Sequence, residues 1–181
     1  MPIMQTLAAY VREHAARGVP DSNSARQVPS DIQAILTVLT RRREGPHLAN
    51  VDLSKTNLGH AELREAQMPG FQLRGSNLRG ANLWGANLSS ANFLEADLQE
   101  ATLSNADLRA ANFFSADLTH AKLVNSTLRH AGLGNATMKG AILSGADLMF
   151  AVDVTKDQLD DAITDQRTVI PELGRPLTPN P

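Results

Sequence analysis

From Leu53 to Leu148 every fifth residue is large and apolar: sixteen Leu, with Met68, Met138, Phe93 and Phe113 completing the twenty. Two residues before each stands a small side chain, Ala in fifteen cases and Val51, Thr56, Ser76 or Ser126 in four more; Phe71 is the exception. The residue between the two is Asn or Asp eleven times. A period of five matches neither the helical repeat of about 3.6 nor the alternation of a flat strand, and a repeat of this kind decides the fold before any other element is assigned. It marks a chain built from one repeated five-residue unit. One large and one small inward side chain per segment would then fill a narrow core at the density that interiors require.

Turn chemistry agrees with this reading. If each unit ends in a turn, as the family resemblance given below implies, its last residue would occupy the third turn position, where a type II turn needs φ > 0. Gly or Asn occupies it at Gly70, Gly75, Gly80, Gly85, Asn105, Asn125, Asn135, Gly140 and Gly145, and both residue types tolerate that conformation. Glu95, Glu100, Ala110 and Ser115 are expected to mark corners of another type. Units such as Ala81-Asn82-Leu83-Trp84-Gly85 and Ala106-Asp107-Leu108-Arg109-Ala110 resemble the A-(D/N)-L-x-x consensus of the pentapeptide-repeat family, over about 100 of 181 residues. The resemblance implies an all-β solenoid core: a right-handed quadrilateral β-helix of about five coils, four units to a coil. At about 4.8 Å between stacked strands the rod would be roughly 24 Å long.

Composition divides the chain into three. Residues 1–49, with six Arg against four acids, form an N-terminal helical segment; residues 50–150, with eight basic and nine acidic side chains, form the repeat body; residues 151–181, with four Pro, form a C-terminal helix and tail. In the first segment a helix over 3–17 is predicted to bury Ile3, Leu7, Tyr10 and Val11, with His14 or Ala15 completing the stripe. A second helix, from Pro29 or Ser30 to Arg42, has Ser30 at its N-cap and Ile32, Ile35, Leu36 and Leu39 inward. Thr155 caps a third, burying Leu159 and Ile163. Solenoids leave open apolar ends, so capping is the simplest role for both flanks. The pattern before the repeats, and Thr155-x-x-Gln158-Leu159 after them, are similar to flanks in many bacterial relatives.

Chemistry is sparse. The chain has no Cys, which excludes disulfides and thiolate sites. A regular β-helix offers convex walls, whereas catalysis needs convergent groups. His60 and His120 share a wall but lie about 14 Å apart by strand spacing, and His130 lies opposite. These three, His14 and His47 lack metal-ligand spacing. Asp52, Asp97, Asp107, Asp117 and Asp147 hold the repeat's polar position, where local hydrogen bonding accounts for them. No catalytic residue, cofactor or metal is therefore expected, and the chain reads as a non-enzyme. Arg41-Arg42-Arg43 reads as a solvated helix end, and Arg74, Arg79, Arg109 and Arg129 as a mild basic patch too weak for direct nucleic-acid binding. No membrane-spanning run is present, nor a secretory leader, so a cytoplasmic setting is expected.

Outward apolar residues are the informative ones. Leu94 and Phe114 stack on one wall; Trp84 and Val124 lie on the opposite wall; Met149 and Phe150 stand at the C-terminal end. These six make the candidate interaction surface, for a protein partner or a homodimer. The resemblance also implies an alternative: quinolone-resistance relatives act as rods that imitate duplex DNA when binding DNA gyrase, a topoisomerase. Such mimicry needs an ordered negative surface, whereas residues 50–150 carry a net charge of only −1.

Overall fold

The computed structural model describes residues 2–15, 28–41 and 51–171. From residue 51 onward the chain pairs with itself in parallel at an offset of 20, as in Asp52 with Gln72, Asn92 with Asn112 and Thr127 with Asp147. Each 20-residue coil therefore has four sides, which define four walls that begin at residues 51, 56, 61 and 66. The pairing is carried by single residues on each side, flanked by turns.

Main-chain hydrogen bonds explain the period. On a typical side, Leu103 N–H donates to Lys122 O of the following coil (2.7 Å) and Asn105 N–H to Val124 O (2.9 Å); Asp107 N–H donates back to Ala86 O (2.9 Å), and Ala106 N–H closes the corner on Leu103 O (3.1 Å). Four of every five donors are thus used by the backbone. The fifth, on the residue after the large apolar one, faces outward. In all eleven units with Asn or Asp at the polar position, that side chain accepts this N–H, from Ser54 on Asp52 to Met149 on Asp147. Pro69, which has no N–H, stands at this same position, where the missing donor costs nothing. The Asn residues also bond down the rod, as Asn77 Nδ2 to Asn57 Oδ1 (3.0 Å) and Asn92 Nδ2 to Gln72 Oε1 (3.0 Å).

Inside, all twenty large apolar residues and their small neighbours are buried, Phe71 included. Phe93 and Phe113 stack at 4.9 Å on the first wall. The inward hydroxyls of Thr56, Ser76 and Ser126 donate to the carbonyls of Leu53, Leu73 and Leu123 at 2.7–2.8 Å. That removes the penalty of burying them.

The corners correct the sequence reading. All twenty have φ between 55° and 69°, and Glu95, Glu100, Ala110 and Ser115 are no different from Gly70 or Asn105. The left-handed conformation costs a residue with a Cβ about 1–2 kcal/mol. Here the ladder on both sides of each corner overrides it, because any other φ would break the register of the next side.

Helices α1 (Pro2–Ala15) and α2 (Ser30–Thr40) cover the N-terminal end and share one apolar core with it. Ala8, Val11 and Ala15 are the buried positions of α1, while Tyr10, expected inward, is 38% exposed. Two small alanines on the inner face bring α1 close, and Tyr10 moves to the rim. There its ring stacks on His14 and its hydroxyl donates to Asp31 Oδ2 at 3.3 Å. Ile32, Leu36 and Leu39 of α2 are buried and Ile35 half-buried. Ser30 does not cap α2: the N-cap position is Pro29, whose carbonyl accepts the Gln33 N–H (2.9 Å) without any side-chain cap. Ile3 has no described side chain, and Arg42, Arg43 and His47 lie outside the described residues.

At the other end, pairing runs past Phe150. Val152 pairs with Gly132, Ile163 with Ile142 and Val169 with Asp147. Helix α3 (Lys156–Asp161) replaces the second wall in this extra turn, and Thr155 and Gln158 form a reciprocal cap at its start. Leu159 is half-buried, but Ile163 is 52% exposed, because it takes an outward pairing position instead of continuing the helix. Asp165 fastens the turn by accepting from Gly145 N–H (2.9 Å) and Arg167 N–H (3.0 Å). Desolvation pushes its pKa up, but these bonds and the Arg167 guanidinium outweigh that and hold it at about 2.

Ala110→Gly should raise stability in urea unfolding by about 1 kcal/mol, through relief of left-handed strain net of glycine's entropy. Gly80→Ala should lower it by a similar amount or more, since a Cβ there would come within 2.6 Å of the His60 ring. For Asp165, the folded pKa lies below the ordinary 3.8. Its stabilisation is therefore complete above that value and fades as pH falls towards about 2. Melting temperature measured across this range should drop less steeply in Asp165→Asn than in the unaltered chain.

Candidate interaction surface

Each side of the rod turns two side chains onto its wall and one onto its corner, so the sequence fixes which outward residues become neighbours. On the first wall one column runs Arg74, Leu94, Phe114, Gly134, and the parallel column runs Gln72, Asn92, Asn112, Gly132, Val152. Leu94 and Phe114 are therefore consecutive in one column, as expected. Leu94 is half-buried and Phe114 43% exposed. The Phe114 ring lies along the wall over Gly134, where a Cβ would come within 2.9 Å of it. Gly132 and Gly134 occupy both outward positions of one side; Gly134 is buried beneath Phe114, and Gly132 is half-buried between Asn112 and Val152, which is 52% exposed.

Phe150 stands at the corner beside Val152, 56% exposed and stacked on His130 at 5.1 Å. Met149, on the fourth wall, is half-buried and takes a contact from Arg129 Nη2 to its sulfur (3.2 Å). Trp84 and Val124 share a column of the third wall, but Ser104 separates them and the structure does not bring them together. Trp84 is covered on one face by the Arg64 guanidinium, 5.0 Å from its ring centre. Of the six residues singled out, Leu94, Phe114 and Phe150 thus gather on or beside one wall. Val152 joins them, and extending the period one unit past Phe150 (Ala151-Val152) would have found it.

The electrostatics are local. Arg74 pairs with Glu95 across one coil (3.4 Å), and Arg79 likewise with Glu100. Arg109 holds Asp107 (2.6 Å) and Arg129 holds Asp147 (2.6 Å). The four arginines expected to form a mild basic patch are each neutralised by a carboxylate, so no basic face results. The Arg109 hydrogen bond leads in holding the Asp107 carboxyl below its ordinary range. His60, His120 and His130 are exposed at corners, and no group of His, Asp and Glu among the described residues is arranged to hold a metal. No helix among them is long and apolar enough to cross a membrane.

These features match known proteins. The family description for pentapeptide repeats fits in eight copies over residues 47–80, 76–113 and 111–148. A pentapeptide repeat protein, Rfr23, from the cyanobacterium Cyanothece 51142 is 37% identical over 55% of this chain and 63% of its own, with a TM-score of 0.46. One from the Arabidopsis thaliana thylakoid lumen is 32% identical over 65% of this chain and 78% of its own (TM-score 0.32). QnrB1, a plasmid-mediated fluoroquinolone resistance protein, is 17% identical over 65% of this chain and 78% of its own (TM-score 0.36). No curated protein matches the chain. With the family description matched over more than half of its length, this chain belongs to the pentapeptide-repeat family.

Proposed function

We propose that this chain is a non-enzymatic interaction scaffold: a right-handed, four-sided rod of about five coils, closed by helical flanks at 1–49 and 151–181, that presents its first wall to a protein partner in a bacterial cytoplasm. The observation that carries the reading is the upper half of that wall. Between Arg74 and Val152 its outward positions hold Asn92, Leu94, Asn112, Phe114 and the two glycines, without a charge among them. Solvated walls are ordinarily dotted with charge, and a flat uncharged strip with exposed aromatic and branched side chains marks a contact surface. Phe114 is suited to be its anchor, being large, partly exposed and already held in one orientation over Gly134. Trp84 and Val124 on the far wall belong to a lesser, separate surface.

Gyrase mimicry has less support. A rod that imitates DNA needs an unbroken negative wall, and here cross-coil Arg–Glu and local Arg–Asp pairs interrupt the acidic positions.

The test is affinity capture from the source organism's extract with the unaltered chain, Phe114→Asp and Trp84→Ala as baits, with a gyrase supercoiling assay alongside. Phe114→Asp should lose the captured partner while melting within a few degrees of the unaltered chain; Trp84→Ala should retain it. A partner retained by Phe114→Asp, or inhibition of supercoiling by micromolar protein, would count against the first wall as the working surface.

A further inference from the structure

At the N-terminal end of the rod, α1 and α2 pack over the first coil. In every later coil the polar-position residue turns both its N–H and its C=O toward the coil before it. Asn82 shows the pattern: its N–H donates to Ala61 O (2.9 Å), and its O accepts from Leu63 N–H (2.8 Å). Asp52, Asn57, Glu62 and Gln67 hold the same position in the first coil, and no coil lies beneath them among the described residues.

The cap supplies one substitute per wall. Asn57 N–H donates to Ala15 O, at the end of α1 (3.3 Å), and Gln67 N–H to Thr40 O, at the end of α2 (2.8 Å). Both acceptors are last-turn helix carbonyls that lack an intrahelical donor. Arg12 Nη1 donates to Asp52 O (3.1 Å) and to its carboxylate (2.5 Å). On the third wall Gln33 takes both roles: Glu62 N–H donates to Gln33 Oε1 (3.0 Å), and Gln33 Nε2 donates to Glu62 O (2.8 Å). One carboxamide reproduces the donor and acceptor of a peptide group, so the cap imitates one more rung of the ladder.

We infer that α1–α2 is a displaceable guard over a self-pairing edge, and that a chain whose guard is released pairs through this end with a second copy of itself. The edge is self-complementary. A residue that presents N–H and C=O to the same side is what a doubly hydrogen-bonded antiparallel pair requires from both partners. Each of the four walls offers one such residue, and a two-fold axis across the end brings identical edges face to face and closes the assembly at two. Head-to-tail stacking lacks a full matching rung, because at the other end α3 takes the place of the second wall. Val51, Leu53, Leu58 and Leu63, at the end of the core, would supply the apolar contact that the guard's Ile32, Leu36 and Leu39 now share.

The experiment uses the full chain carrying Arg12→Leu with Gln33→Leu, which removes the contacts on two walls without introducing a helix breaker. Amide exchange at Asn57, Glu62 and Gln67 is followed beside light scattering over a hundredfold range of protein concentration, with the Asn82 amide reporting the integrity of the rod. In dilute solution the three first-coil amides should exchange at least tenfold faster than in the unaltered chain while Asn82 stays protected. As concentration rises, mass should double and protection at those amides should return in step. Amides that open without any doubling, doubling without returned protection, amides that never open, or growth beyond a dimer would each overturn the proposal. If the double variant loses Asn82 protection, Gln33→Glu alone decides. It keeps the acceptor for Glu62 N–H and loses only the donor, so the same coupled changes should appear at higher concentration, and their absence would be as damaging. Because Phe114 lies three coils along the first wall from this end, Phe114→Asp should leave the dimer intact, which separates this outcome from failure of the scaffold reading.

Discussion

The coil-to-coil hydrogen-bond ladder is the constraint on which everything else in this chain depends. Four of five main-chain donors per unit are spent on neighbouring coils or on the corner, and the fifth is left facing outward. The sequence has answered that fifth donor with Asn or Asp in eleven units and with Pro69 in one. Inward positions are set by the same geometry: with coils stacked at ladder spacing, a Leu and an Ala per side fill the axis, and a larger residue fits rarely, as Phe71 does. The ladder also decides the corners. Glu, Ser, His, Lys, Ala and even Phe150 adopt φ near 60°, at a cost that the bonds on either side offset together and that no single residue would tolerate alone.

That dominance explains what could be read directly. The large and small inward positions, the polar Asp and Asn, the exposed corner histidines and the Thr155 cap all follow from rules that act within a few residues. The corner conformations did not, because a local preference for Gly or Asn says which residues adopt φ > 0 cheaply, and here a nonlocal ladder imposes it on the rest. Tyr10, Ser30 and Ile163 failed for a related reason. Which face of α1 turns inward depends on how near its alanines let it approach, the α2 start depends on the Pro29 carbonyl, and Ile163 answers to pairing with Ile142 instead of to a helical stripe.

The candidate surface was legible in part for similar reasons. Stacking at intervals of 20 places Leu94 under Phe114 without reference to any structure, and it separates Trp84 from Val124 by one coil more than a contact allows. Val152 and the seat that Gly134 makes for the Phe114 ring were harder to see, since the period weakens after Phe150 and a contact made by a missing side chain leaves no apolar signal. Likewise the pairing of Arg74, Arg79, Arg109 and Arg129 with carboxylates is a matter of rotamer and reach. Column positions alone put like charges together, as with Arg129 above Arg109, whereas the side chains turn to Asp107 and Asp147.

Residue-resolved amide exchange across one unit tests the ladder most directly. In the segment Leu103 to Asp107, the N–H groups of Leu103, Asn105, Ala106 and Asp107 have main-chain acceptors. That of Ser104 follows Thr102 instead of Asn or Asp and has no protein acceptor. The account predicts four slow amides and one fast one here, and slowing of that one amide in Thr102→Asn. Uniform protection across the five, or a fast amide at any other position of the unit, would contradict the hydrogen-bond pattern from which the rest has been built.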